Sequence, residues 1–578
     1  MAIGRRDFIG GIGALSFTGS AYRLFGDEKP LLRIGVMTDT HIGRTKASCG
    51  RVKLAYQLFR RLGADLMVNV GDVADYHYPT GYRAYRETVE EVFAGVAAAD
   101  RPRELFVYAA HDYFNYGGRK KRSLWSRDAT PAFADMQRLI GAGNGPYAQG
   151  AVKGFPYVVF PQSMTEGLDL KRCDRMIADA VAANPGKPVF VFAHIPPGGT
   201  TRGGGGSRAK REMLNKYPQV VNISGHTHGS LADERSIWQG EFTSVNAGCL
   251  QNWGGGLAGN NVPRNQNYGV VIIDVFPARI VFRRFDVRDG EESNDPWMIP
   301  WPFDPAAAPY RAAGRKEKSA APSFAAGAVL KVEPRGDEGG VSLTVPVAGG
   351  VTRPFTYRVF LEYFDRNRKW RSRGRRDFFG DAWQRPHERP EKYELEVPGP
   401  YFDPGRRYRF RVFPLNCFAK AGSPIAVEFT APEFRSKKKP QVIWESNDPM
   451  KDCPFLAGLS GKKSMPMKDG FYEMGEGSAR LVFPDGVWKG EKDARFRFVA
   501  DVHTVQGEHR SWNINLRNPN PLKNAHGRIP TPRGDSGSLR YVIDFAKADE
   551  DHCYYLLVRE GGVGKIRFDY ARIERIQN

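Results

Sequence analysis

The chain has 578 residues, a formal net charge of +21, 41% hydrophobic residues and six cysteines. That length implies three or four domains, each large enough to bury its own core. The charge favours anionic partners, namely phosphorylated substrates, nucleic acid, anionic polysaccharide or a membrane surface. The cysteines (Cys49, Cys173, Cys249, Cys417, Cys453, Cys553) are scattered and include no CxxC pair, which excludes a dense disulfide framework. Cys453 and Cys553 share the last domain and are candidates to pair in an oxidising compartment, with buried free thiols as the alternative.

Residues 1–26 open with Gly4-Arg5-Arg6-Asp7-Phe8-Ile9-Gly10 and continue as a Gly- and Ala-rich apolar stretch to Tyr22. Twin arginines ahead of a modest hydrophobic region resemble a bacterial twin-arginine export signal. The run is too short and glycine-rich for a comfortable membrane span, and no later stretch is apolar enough for one. Gly19-Ser20-Ala21 fits a small-x-small cleavage site only loosely, which leaves open an uncleaved signal tethering the protein to the membrane. The expected location is exported: periplasmic, cell-surface or extracellular.

From residue 30 the pattern changes to short runs rich in Val, Ile, Leu and Phe: Leu32–Met37, Asp65–Val70, Glu104–Tyr108, Pro188–Phe192 and Gln219–Ile223. They read as buried parallel strands, with helical stretches such as Val52–Leu62 between them. Just past these runs stand Asp39-Thr40-His41, Gly71-Asp72-Val73-Ala74-Asp75, Ala109-Ala110-His111-Asp112, His194 and Gly225-His226-Thr227-His228. In an open α/β layer, residues beyond the carboxyl ends of strands converge on one crevice. Carboxylates and imidazoles gathered there suit borderline-hard divalent metals.

Five such motifs in this order, over residues 31–290, resemble the calcineurin-like metallophosphoesterase family. The resemblance implies an α/β four-layer fold over residues 30–295, a β-sandwich flanked by helices, and a metal-dependent phosphoric ester hydrolase. It implies two divalent ions (Mn, Fe or Zn), Asp39, His41 and His228 holding one, Asp72 bridging, and His194 and His226 holding the second. Two metals about 3.5–4 Å apart clamp a phosphoryl group and generate the attacking hydroxide. His111 would stand near the leaving group as proton donor or charge stabiliser, with Asp75 and Asp112 orienting ligands or their loops from behind. Arg44 and Arg202 are candidates to bind a substrate phosphate bidentately. The segment Gly203–Gly206 reads as a flap at the crevice mouth, His77 as a rim residue.

One position departs from the family pattern. Ala110 stands where the family has an asparagine ligand to the second metal, and Asn115 in the following loop is a weak substitute, since loop Asn usually serves turn chemistry. Two readings follow. The first is an exported phosphoesterase acting on a phosphomonoester or phosphodiester through a metal-bound hydroxide. The second is a catalytically impaired protein of the same fold that binds a glycan or cell surface.

Residues 296–322, around Trp297 and Trp301, read as a segment wrapping the catalytic domain and then a linker. Residues 323–434 alternate as strands, and Pro404–Val412 with Asn416 and Ala421-Gly422-Ser423-Pro424 resembles a fibronectin type III domain, in which a tyrosine pins one corner. Within it Arg366–Arg376 packs seven cations around Trp370. This run reads as a solvated hairpin or loop between two strands rather than a nucleic-acid grip. Residues 435–440 read as a basic linker. Residues 441–578 alternate again and suggest a second all-β sandwich, jelly-roll-like or carbohydrate-binding-like, with Trp488 and Trp512 as candidate sugar platforms. Polysaccharide or an anionic surface is the candidate partner of these domains.

Overall fold

Leu32, Ile34 and Val36 point to one side of the first strand and Met37 to the other, and all four are buried. A strand apolar on both faces belongs inside a layered structure. The computed structural model describes residues 28–43, 47–75, 79–113, 130–162, 169–202, 206–251, 268–311, 314–336, 338–350, 352–380, 382, 388–435, 440–453, 455–457, 467–474, 477–482, 495–506, 513–517, 528–530, 537–546, 555–560 and 564–576. The chain divides into two units, Met1–Lys318 and Ser319–Asn578.

In the first unit, β1 (Leu32–Met37), β2 (Leu66–Asn69) and β3 (Arg103–Phe106) run parallel. The other edge of β1 carries antiparallel strands β10 (Gly269–Phe276), β11 (Arg279–Asp286) and β12 (Glu291–Pro300), completing a six-stranded sheet. A second six-stranded sheet has the order β4-β5-β6-β7-β9-β8. Its strands are β4 (Ala148–Val152), β5 (Phe155–Phe160), β6 (Val189–Ala193), β7 (Val220–Ser224), β8 (Ile237–Gln239) and β9 (Thr243–Asn246). The inner faces meet in one core that includes Ile34, Val68, Phe192, Ile223 and Ile273. Helices α1 (Ser48–Leu62), α2 (Pro79–Val92) and α3 (Thr130–Ile140) cover the first sheet. Helices α4 (Leu170–Ala183) and α5 (Arg208–Leu214) cover the second, giving the expected four layers.

The expected wrapping segment begins differently. Residues up to Pro300 continue β12 in register with β11, and Trp297 and Trp301 are buried in the core between the sheets. Alternation of Trp297 and Ile299 with the exposed Met298 is strand periodicity, which the neighbouring prolines obscure in the sequence. The expected strand Glu104–Tyr108 also starts one residue earlier and ends at Phe106, after which the chain turns toward the site.

In the second unit, β13 (Lys331–Arg335), β14 (Gly340–Pro346) and β17 (Lys392–Val397) form one sheet. β15 (Thr356–Phe364), β16 (Trp370–Phe379), β18 (Arg407–Leu415) and β19 (Ile425–Thr430) form another. Their shared core includes Leu343, Tyr357, Leu361, Tyr408 and Phe410. The hydroxyl of Tyr408 accepts the Asp403 N–H at 2.8 Å and so pins a corner. The arginine-rich run lies in a hairpin, as one of the two expected readings had it, but it is not solvated throughout. Trp370–Phe379 is a strand paired along its length with β15, and only Asp365–Lys369 is turn. Arg373 is buried, bonding Asp403 at 2.8 Å and Asp501 at 3.1 Å.

Residues beyond Pro440 form a six-stranded and a five-stranded sheet, the former built on the long antiparallel strands Arg495–Gln506, Gly537–Ala546 and Gly564–Ile576. Phe496, Phe498, Ile543, Phe568 and Ile573 lie in its core. Cys453 is buried and free. The export-signal segment, residues 436–439 of the basic linker, Trp488, Trp512 and Cys553 lie outside the described residues. No helix among the described residues is long and apolar enough to cross a membrane.

Candidate metal centre

The motif residues meet because five adjacent strand ends deliver them to one edge. Asp39 and His41 follow β1, Asp72 and Asp75 follow β2, and His111 stands in a short helical turn, Ala110–Tyr113, after β3. His194 follows β6 directly, and His226 and His228 follow β7. Backbone bonds zip the loops together: Asp39 N–H to Gly71 O, His41 N–H to Asp72 O, and Gly225 N–H to His194 O. Asp39, His41, Asp72, His226 and His228 all have left-handed backbone, with φ of 52°, 41°, 52°, 68° and 47°. A non-glycine residue adopts that conformation only when its surroundings impose it, and such strain gathers at functional sites. Two glycines permit the crowding. A Cβ on Gly225 would stand 1.9 Å from Thr38 Oγ1 and 2.6 Å from Asp39 Oδ2, and one on Gly71 would stand 2.6 Å from Ala109 Cβ.

Each imidazole is oriented from behind. His194 Nδ1 donates to the Val70 carbonyl at 2.7 Å and His228 Nδ1 to the Gln251 carbonyl at 2.6 Å, which turns both Nε2 lone pairs toward the centre. His41 presents its Nε2 as well, with Nδ1 3.5 Å from Asp75 Oδ1. That Asp75 oxygen also accepts His111 Nδ1–H at 2.9 Å, so one carboxylate serves two rings. In front, Asp39 Oδ1 lies 3.2 Å from His228 Nε2, 3.8 Å from His41 Nε2 and 3.9 Å from His194 Nε2. Asp72 Oδ2 lies 3.2 Å from His194 Nε2 and 3.7 Å from His41 Nε2. The two carboxylates are held by their other oxygens: Asp39 Oδ2 accepts the His226 N–H at 2.9 Å, and Asp72 Oδ1 accepts the His111 N–H at 3.1 Å.

Asp39 Oδ1 and His194 Nε2 are buried and hydrogen-bonded to nothing among the described residues. Groups so costly to bury unpaired call for a cation between them. The His41 and His228 Nε2 atoms stand 3.3 Å apart, the spacing of two nitrogens each about 2.1 Å from a shared metal. Three overlapping sets have ligand atoms within 4.8 Å of one another: Asp39–His41–His228, His41–Asp72–His111 and Asp39–Asp72–His194. Asp39 and Asp72 each belong to two sets, so this donor set fits a centre larger than one ion. These His and Asp groups are capable of binding metals.

The electrostatics agree. Burial opposes charge on His41, His194 and His228, yet the neighbouring carboxylates outweigh it and raise all three, His194 to about 9. Burial likewise works against the carboxylates, but His228 and His194 hold Asp39 well below the usual range, and His194 and His41 do the same for Asp72. Asp112 goes the other way: burial and the charge of Asp72 push it up to about 7. Its oxygens accept N–H groups from Val73, Ala74 and Ala109 at 3.0–3.2 Å, which ties the Asp72 loop to the His111 turn.

The structure thus brings together Asp39, His41, Asp72, His111, His194 and His228, with Asp75 and Asp112 behind them. His226 stands apart: it is exposed, lends its backbone N–H to Asp39, and its ring lies edge-on to His194 at 5.3 Å, but it joins none of the three sets. Arg202 is ion-paired with Asp233 at 2.9 Å, a carboxylate that Arg235 also grips. Arg44, His77, Asn115 and residues 203–205 lie outside the described residues. Ala110 is buried and engages Gln162 Oε1 through its backbone N–H at 3.1 Å. The carbonyls of Val70 and Gln251, and the residues Asn69, Tyr82 and Tyr85 behind the Asp72 loop, went unread in the sequence. A carbonyl has no residue signature, and a tyrosine on a helix looks like any core residue.

The family model for calcineurin-like phosphoesterases matches residues 32–230, a span that holds Asp39, His41, Asp72, Asp75, His111, Asp112, His194, His226 and His228. The chain carries a calcineurin-like phosphoesterase domain. The match supports a phosphoester hydrolase in general and implies a phosphorylated substrate. No curated protein matches the chain in sequence. Among solved structures, a dimetal phosphatase from Danio rerio is 13% identical, covering 47% of this chain and all of its own, with a TM-score of 0.32. The purple acid phosphatase PPD1 from yellow lupin is 12% identical over 46% of this chain and 53% of its own, also at 0.32. The C-terminal CBM6 of a marine laminarinase from Zobellia galactanivorans is 10% identical over 23% of this chain and 92% of its own, at 0.13.

Proposed function

We propose that the chain is an exported, dinuclear-metal phosphoesterase that hydrolyses a phosphomonoester or phosphodiester. The observation that carries this reading is the pair of shared carboxylates, Asp39 and Asp72, each in two ligand sets and each with one oxygen directed at three or two imidazole Nε2 atoms. Asp39, His41 and His228 are assigned to one metal and His194 to the second, with Asp72 between them; His226 would complete the second site by turning its ring inward. When bound, divalent cations supply Lewis-acid charge for the phosphoryl oxygens and lower the pKa of water. The rest is the work of the chain. Asp72 would supply the negative charge that two neighbouring cations need, and the Val70 and Gln251 carbonyls hold His194 and His228 in the tautomer that presents Nε2. Asp75 orients His41 and His111 through one oxygen, and His111 faces the same centre from the third strand end. The twin arginines Arg5-Arg6 support export. The two all-β portions of the second unit are read as a fibronectin type III-like spacer and a module for polysaccharide or an anionic surface.

Hydrolysis of a paired aryl phosphomonoester and phosphodiester by the Mn²⁺-loaded protein, with Asp72→Asn as the blank, tests the proposal. The expected result is turnover lost in the blank, with the ratio between the two esters setting the reaction class. Ala110 favours a second reading, because it offers the second metal no side-chain donor. If wild type fails to exceed the blank and Ala110→Asn restores turnover, the domain has lost catalysis and serves binding.

A further inference from the structure

The left-handed backbone of Asp72 needs a cause, and the residues behind it supply one. Every amide that flanks Asp72 on the Gly71–Ala74 stretch is tied to a side chain. Gly71 N–H donates to Asn69 Oδ1 at 3.1 Å, and Val73 and Ala74 N–H donate to Asp112 Oδ1 at 3.0 and 3.2 Å. Both anchoring residues are in turn held by hydroxyls from one face of α2. Tyr82 Oη donates to the backbone carbonyl of Asp112 at 2.6 Å and stands 3.4 Å from its Oδ1. Tyr85 Oη accepts Asn69 Nδ2–H at 3.3 Å and lies 2.7 Å from Tyr56 Oη, which donates to Glu104 Oε1 at 2.6 Å. That chain has one consistent direction, from Asn69 through Tyr85 and Tyr56 to Glu104, and it fixes the Asn69 amide so that its oxygen faces Gly71. Tyr82 and Tyr85 are three apart in α2, share its buried face, and are fully buried.

We infer that Tyr82 and Tyr85 are positioning residues that hold the Asp72 loop in its ligand-presenting conformation. One helix thereby grips both ends of the loop carrying the shared carboxylate. Asp112 extends the grip to Ala109 and hence to His111, whose N–H meets Asp72 Oδ1. The inference deepens the dinuclear phosphoesterase reading and rests on it for the role of Asp72. Neither tyrosine touches a reacting atom. One buried tyrosine elsewhere in the domain does without such bonds: the Tyr157 hydroxyl is buried and has no hydrogen-bond partner among the described residues.

The test compares full-length Tyr82→Phe and Tyr85→Phe with Tyr157→Phe as a control that removes a hydroxyl from the same domain. Manganese stoichiometry and affinity are measured by calorimetry and the metal–metal coupling by electron paramagnetic resonance, alongside kcat, KM and thermal melting. The expected result is an affinity for the second manganese about tenfold weaker in each site variant, as for other residues supporting metal ligands. The dimanganese signal should change, kcat should fall about as much with KM nearly constant, and the control should match wild type. Two ions bound with wild-type affinity and an unchanged spectrum, with only the melting temperature lowered, would overturn the inference. Wild type that binds two ions yet hydrolyses neither ester would remove the phosphoesterase reading, and the affinity comparison would still decide this one.

Discussion

Buried charge does opposite jobs in the two units. In the calcineurin-like domain, Asp39 and Asp72 are buried against imidazoles, with Asp39 Oδ1 and His194 Nε2 left unbonded among the described residues. In the second unit, three arginines are nearly as buried, with side chains only 6–8% exposed, but each is matched. Arg540 bonds Asp501 at 2.8 Å through two nitrogens and Asp403 at 2.9 Å, Arg373 bonds the same two carboxylates, and Arg497 bonds Asp544 and Glu338. The second cluster satisfies itself and joins the two sandwiches into one unit. The first is a set of converging acceptors that protons or metal ions must complete. Burial of charge therefore does not by itself mark a functional site; an incomplete donor–acceptor balance does.

Several experiments would break or sharpen that contrast. Metal should matter to one unit only: manganese at a thousandfold excess over its dissociation constant stabilises the calcineurin-like domain by about 4 kcal/mol. Calorimetric scans should show one transition rising with metal and reversing with chelator, while the transition of the second unit stays put. Arg540→Ala should do the reverse. Stripping one partner from a buried pair costs about 3–5 kcal/mol, with a value near the lower end expected here because Asp403 is 39% exposed. Denaturant melts should show that loss with manganese affinity unchanged.

A third experiment uses pH. The folded, metal-free protein holds His194 at about 9, above its unfolded value. Its contribution to stability is therefore fully present below about pH 6.5 and is lost as pH rises toward 9. A bound metal needs the neutral ring, so the increment in melting temperature on adding manganese should grow between pH 6.5 and 9. An increment that shrinks over that range would place the controlling proton elsewhere. Smallest of all, Tyr408→Phe removes the acceptor for the Asp403 N–H and should cost about 1 kcal/mol in the second unit alone.

Much of the site was legible because its chemistry is local and its delivery follows a rule. Hydrophobic runs announce strands, ligands sit just past their ends, and open α/β sheets gather those ends into one crevice. Asp39, His41, Asp72, His194 and His228 could be named on that basis, as could His111 and the carboxylates Asp75 and Asp112 behind them. The two sandwiches followed from the alternation of apolar runs, whereas the four-layer order was implied by the family resemblance. What misled the sequence reading was proline and charge: Trp297–Pro302 looked like a wrapping segment, and the hairpin at Arg366–Arg376 looked solvated throughout. Strand register buries Trp297, and partners distant in sequence, Asp403 and Asp501, neutralise Arg373.

The sequence by itself set the candidate donors and their order, since these reside in side-chain identity, and the family resemblance marked Ala110 as a missing donor. Only the tertiary structure decided how the centre is held: which carbonyls set each imidazole's tautomer, how Asp75 serves two rings, why five residues accept left-handed backbone, and that His226 stands outside the sets. Those depend on contacts across dozens to hundreds of residues and on backbone atoms common to every amino acid. No spacing rule within one segment encodes them.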